Sequence, residues 1–89
     1  MHAIVTVIGK DRVGIIAEVC TTLASYKVNI LDIRQTVLRE YFTMMMLVDV
    51  SGSSVSFDDL GEALEDAGKK GGLDIRIQRE DIFNAMHNI

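Results

Sequence analysis

Residues 29–50 read NILDIRQTVLREYFTMMMLVDV: two strand-like runs rich in β-branched and apolar side chains, joined by a very short connection at Arg39-Glu40. Such runs favour extended backbone, and a two-residue break allows only a tight antiparallel hairpin of Asn29 to Leu38 with Tyr41 to Val50. Neither Arg39 nor Glu40 is the glycine or asparagine that so short a turn prefers.

On either side of this hairpin stands one strand-like and one helix-like segment. Upstream, Ala3 to Ile8 reads as a strand ended by Gly9. Asp11 follows in an N-cap position, and Val13, Ile16, Ala17, Cys20, Leu23 and Ala24 form a stripe at helical spacing. That helix is expected to stop near Tyr26-Lys27. Downstream, Ser51-Gly52-Ser53-Ser54 is a loop. Ser56 with Asp59 resembles a capping box, and Val55 can staple onto Leu60. Phe57, Leu60, Leu64 and Ala67 line one face of a second helix. Its acidic start (Asp58, Asp59, Glu62) and basic end (Lys69, Lys70) suit the helix dipole, and Gly71-Gly72 closes it. Leu73 to Gln78 alternates as a fourth strand, and Ile82, Phe83, Met86 and Ile89 form the stripe of a short last helix.

The order β-α-β-β-α-β, with right-handed crossovers, places both long helices on one side of an antiparallel sheet. The expected fold is α+β, a ferredoxin-like two-layer sandwich over residues 1–79, with a C-terminal helical extension over 80–89. Strand periodicity sends Val5, Val7, Leu31, Ile33, Val37, Phe42, Met44, Met46, Val48, Ile75 and Ile77 toward the helices. Ile4, Thr6, Ile8, Ile30, Asp32, Arg34, Met45, Leu47, Asp74 and Arg76 fall on the opposite face. Half of that second set is apolar, more than a wet sheet face usually shows, so a cover is expected. The C-terminal stripe can supply it in its own chain or on a neighbour.

With 89 residues, 48% hydrophobic, no proline and one cysteine, the chain has room for one domain and no disulfide framework. A domain this small buries only about 60–65% of its unfolded surface, so spare apolar surface points to a partner. A net charge of −4 argues against direct nucleic-acid binding. Met1 to Val5 has no signal-peptide pattern, and Met44 to Val48 is far short of the ~20 apolar residues of a membrane span. A cytoplasmic protein without membrane contact is expected.

Chemistry is sparse. His2 and His87 stand apart without ligand-type neighbours, so no metal is expected. Cys20 lies in an apolar stripe, and Glu62, Glu65 and Asp66 lie on a solvated helix face, so no catalytic residue and no cofactor are assigned. An acylphosphatase-like hydrolase on this fold is disfavoured by Asp11, which repels phosphate in the loop after the first strand.

Two short motifs carry information. Ile8-Gly9-Lys10-Asp11-Arg12-Val13-Gly14-Ile15-Ile16 runs a strand into a helix with glycine in its first turn, where glycine costs roughly 1 kcal/mol relative to alanine. Gly14 either opens the first-turn amides to a carboxylate or relieves packing against the sheet or a second copy. Val28-Asn29-Ile30 opens the second strand, where Asn29 either ties down the turn or presents donor and acceptor to a ligand.

Strand, Asp11-Arg12-x-Gly14, helix, then Val28-Asn29-Ile30 together resemble the ACT domain, a small-molecule-sensing regulatory module, from Ala3 to about Gln78. Tyr41-Phe42-Thr43-Met44 and Arg79-Glu80-Asp81-Ile82-Phe83-x-Ala85-Met86-His87 are similar to stand-alone ACT proteins related to the tandem-ACT glycine cleavage system regulators. The resemblance implies a homo-oligomer, a dimer first, often with sheets aligned edge to edge, and an amino acid or similar small metabolite bound between copies. Carried over by position, Asp11, Arg12, Val13, Gly14, Asn29 and Ile30 would contact that ligand. Lys27 and Glu40 stand where glycine or asparagine would ease the backbone, so strain is expected there. The alternative is a protein-interaction module that docks a partner regulator or enzyme through the open sheet face or C-terminal helix, without a small ligand.

Overall fold

Alternating apolar side chains on successive strands build one four-stranded antiparallel sheet in the order β2-β3-β1-β4. The computed structural model describes residues 1–86, so the expectations for His87 and Ile89 lie outside it. The elements are β1 (His2–Lys10), α1 (Ile15–Ser25), β2 (Asn29–Leu38), β3 (Tyr41–Asp49), α2 (Phe57–Gly71), β4 (Leu73–Arg79) and α3 (Glu80–Met86). This is the ferredoxin-like order. Ala3, Val5 and Val7 of β1 and Met44, Met46 and Val48 of β3 form the sheet side of the core, closed by Ile15, Val19 and Leu23 of α1 and Leu60 and Leu64 of α2.

Five expectations need correction. Gly9 does not end β1; it pairs with Phe42 and Leu73 inside the sheet. The buried stripe of α1 is Ile15, Val19 and Leu23, while Val13, Ile16, Ala17 and Ala24 are exposed. The helix starts four residues after Asp11, so Asp11 caps nothing and the stripe rotates accordingly. In β2, a bulge between Ile30 and Asp32 adds one residue to the pairing with β3. Ile30 therefore packs against the core and Leu31 is exposed, the reverse of simple alternation. Strain at the hairpin falls on Arg39 (φ 56°) rather than Glu40, while Lys27 (φ 61°) carries it at the helix exit as expected.

The second helix forms as its sequence indicates. Ser56 Oγ accepts the Asp59 amide, Leu60 and Leu64 are buried, and Gly72 takes the left-handed cap (φ 72°). On the open face, α3 turns back over the His2 end of the sheet: Glu80 Oε1 lies 3.6 Å from His2 Nδ1, and Gln78 Nε2 donates to Met86 Sδ. Ile8 and Met45 stay exposed beyond its reach.

At that same end, Asp49 holds the β3 exit. Its Oδ1 accepts the Ser51 amide at 2.9 Å and lies 3.5 Å from the Met1 ammonium. The Ser51 backbone bond, then the Ser51 hydroxyl, lowers the Asp49 pKa from 3.8 to about 2. A lowered carboxyl pKa adds stability above the unfolded value, and that stability disappears as pH falls through the folded value. Asp49→Asn should therefore be less stable than the parent at pH 5. Urea melts at pH 5, 3 and 2 should show the gap shrinking between about pH 4 and pH 2; a constant gap would remove Asp49 ionisation as its source.

Candidate ligand-binding turn and its partner motif

The turn from β1 to α1 is built from backbone ties rather than side-chain caps. Asp11 N donates to Glu40 O at 2.7 Å, fixing the turn against the β2–β3 hairpin. Gly14 then adopts φ 93°, a region that costs a non-glycine residue roughly 1–2 kcal/mol, and α1 begins at Ile15. A Cβ added at Gly14 would meet nothing within 4 Å. Gly14 is thus needed for its backbone angle, and relief of packing against the sheet is not its reason. Among the described residues no side chain caps α1, and its first intrahelical bond runs from Glu18 N to Gly14 O. The amides of the first turn therefore open toward solvent at a positive helix end.

Arg12 is already engaged. Its guanidinium forms an ion pair with Glu18, and Nη2 donates to Gly71 O at 2.9 Å. The arginine joins the turn to the C-terminal carbonyls of α2, where a cation is favoured by the helix dipole. Nothing local in the sequence pairs Arg12 with Gly71, 59 residues away. Val13 projects from the turn at 98% exposure, and the Asp11 side chain makes no hydrogen bond or ion pair among the described residues.

Asn29 and Ile30 lie elsewhere. Asn29 pairs with Asp49, which pairs with His2, whereas Leu38 pairs with Tyr41, which pairs with Lys10. The β2 entry and the Asp11–Gly14 turn therefore occupy opposite ends of the sheet, roughly 26 Å apart at about 3.3 Å per residue. The Asn29 side chain does not tie down the helix exit; Lys27 N and Val28 N do so through the carbonyls of Ala24 and Leu23. Ile30 is partly buried against the core and Asn29 is exposed. One chain brings Asp11, Arg12, Val13 and Gly14 together and leaves Asn29 and Ile30 apart from them.

Among the described residues no cluster of histidine, cysteine or carboxylate groups could hold a metal ion, and no helix is long and apolar enough to cross a membrane. Fold and turn together define a small ferredoxin-like module whose conspicuous features are an open helix mouth and two sheet edges, β2 and β4, unpaired among the described residues. The chain belongs to the ACT domain family, whose model matches residues 1–78. A UPF0237 protein of Clostridium acetobutylicum is 58% identical over 89 residues, spanning all of both chains. Among solved structures, an ACT domain protein from Streptococcus pneumoniae is 46% identical, covers 93% of each chain and superposes with a TM-score of 0.83. A putative glycine cleavage system transcriptional repressor is 26% identical with a TM-score of 0.73, over 86% of this chain and 44% of that one.

Proposed function

We propose that the protein is a non-catalytic regulatory sensor that binds an amino acid or similar small metabolite between two copies of itself. The observation that carries this reading is the placement of the two motifs at opposite ends of one sheet whose β2 edge is unpaired among the described residues. Antiparallel pairing of β2 with β2 of a second copy sets each Asn29 end beside the other copy's Leu38 end. That end adjoins the hairpin turn to which Asp11 is bonded. Two equivalent sites then form, each combining the Asp11–Gly14 turn of one copy with Asn29 and Ile30 of the other. Leu31, Val37 and Leu38 supply exposed apolar surface along that edge.

Within each site the first-turn amides of α1 suit a carboxylate, and the Asp11 carboxylate suits an ammonium. Asn29 of the second copy offers both donor and acceptor. Arg12, occupied by Glu18 and Gly71, acts as a strut that positions the turn. Because both copies contribute, the ligand favours one relative orientation of the pair, and that shift in population is the regulatory output.

A thermal-shift screen over the common amino acids tests the reading. A ligand at ~100 times its Kd should stabilise the dimer by about 2.7 kcal/mol. A flat response across all of them would favour docking to a protein partner through the open face, where Ile8 and Met45 remain exposed.

A further inference from the structure

The other sheet edge is also open. β4 ends the strand order and pairs only with β1 among the described residues. Alongside it runs α2, and between them lies a groove of about 690 Å³ walled by Phe57, Asp58, Glu62 and Glu65 and by residues 74–78 of β4. Gly61 sits in the same wall. A Cβ there would reach only ordinary contact with Ile77 Cγ2 at 3.6 Å, so nothing crowds the groove at that point.

The wall is strongly one-signed. Asp58, Glu62 and Glu65 recur at i, i+4 and i+7, which brings them onto one face of α2. Asp74 and Arg76 alternate with buried Ile75, so their side chains belong to the face of β4 turned away from α2. Arg76, the single cation lining the groove among the described residues, bonds Asp74 on that other face through Nε at 3.2 Å, which leaves the α2 carboxylates facing the groove. Lys69 touches Glu65 only from an exposed i,i+4 position.

We propose that this groove docks an extended, cationic segment of another protein, which joins the sheet as a fifth strand against β4. Main-chain hydrogen bonds to the free edge hold the segment, and alternate side chains reach up toward α2. Lysine or arginine at those alternate positions meets Asp58, Glu62 and Glu65. A second copy of this chain is the competing occupant. Pairing β4 with its own duplicate about Ile75 would set each Asp74 opposite an Arg76, but it would also face the carboxylate wall of α2 with an identical wall. That repulsion selects the cationic segment. The groove lies on the edge opposite β2, so both edges can be occupied together, and this inference stands apart from the ligand site.

The test is a titration of the isotope-labelled full chain with a capped octapeptide of alternating lysine and valine, and in parallel with its glutamate–valine counterpart. The lysine peptide should shift the amides of residues 73–79 and of the first turns of α2, and should slow hydrogen exchange along β4. The glutamate peptide should do neither. Glu62→Lys with Glu65→Lys, both exposed positions, should weaken binding about tenfold while the circular dichroism spectrum is unchanged. Absence of binding, shifts scattered over the acidic surface without protection of β4, or an unaffected double variant would overturn the proposal. Protection of β4 that rises with protein concentration in the absence of peptide would assign the edge to a second copy instead.

Discussion

Gly68→Ala is expected to destabilise the protein by about 2 kcal/mol, although helix propensity alone predicts a gain of up to about 1 kcal/mol. Gly68 is buried in α2 where that helix crosses β4. A Cβ at this position would lie 2.6 Å from the Leu73 carbonyl oxygen and 3.2 Å from Ile75 Cγ1. The oxygen belongs to the backbone of the adjoining strand and cannot swing aside as a side-chain tip could. Relief therefore requires α2 to lift from the sheet, which loosens the packing of Leu60 and Leu64, both fully buried. Gly61→Ala on the same helix is the control. Its Cβ would meet Ile77 Cγ2 at 3.6 Å, an ordinary contact, so the propensity gain of roughly 0.5–1 kcal/mol should survive. Thermal melts of the two variants should move in opposite directions, Gly68→Ala by about −10 °C for a domain of this size. If both variants gained stability, the tight α2–β4 approach would not exist in solution.

The contrast between these glycines shows where the sequence was informative. Val5, Val7, Met44 and Met46 alternate without interruption, and simple two-residue periodicity assigns each to its face. Ser56 and Gly72 bracket α2 because a capping hydroxyl and a left-handed glycine act locally. Periodicity fails at Ile30 and Leu31, where a bulge inserts a residue with no proline or glycine to mark it. Helical spacing misplaces the face of α1 because the position of Gly14, cap or interior, sets the phase, and both are compatible with the same letters. The role of Arg12 depends on Gly71, far along the chain, so only the folded sheet brings them together. The acidic run of α2 is visible in the sequence as a favourable helix start, but its position above a free strand edge follows from strand order.

Replacing Val37 and Leu38 with lysine is expected to abolish both self-association and the response to ligand, while leaving the single chain folded. Both side chains are exposed in the monomer, at 50% and 70%, so each replacement should change monomer stability by no more than about 0.5 kcal/mol. Their effect falls on the edge. Lysine is a common device by which exposed strands avoid pairing, and four added charges at a twofold seam would repel across it. Sedimentation at a concentration where the parent is a dimer should show the variant as a monomer. The ligand-induced stabilisation of about 2.7 kcal/mol should vanish with it, because Asn29 of the second copy no longer reaches the Asp11–Gly14 turn. The two readouts must fall together. A variant that is monomeric yet still stabilised by the same amino acid would place the whole ligand site within one chain, and a variant that stays dimeric would move the interface away from β2.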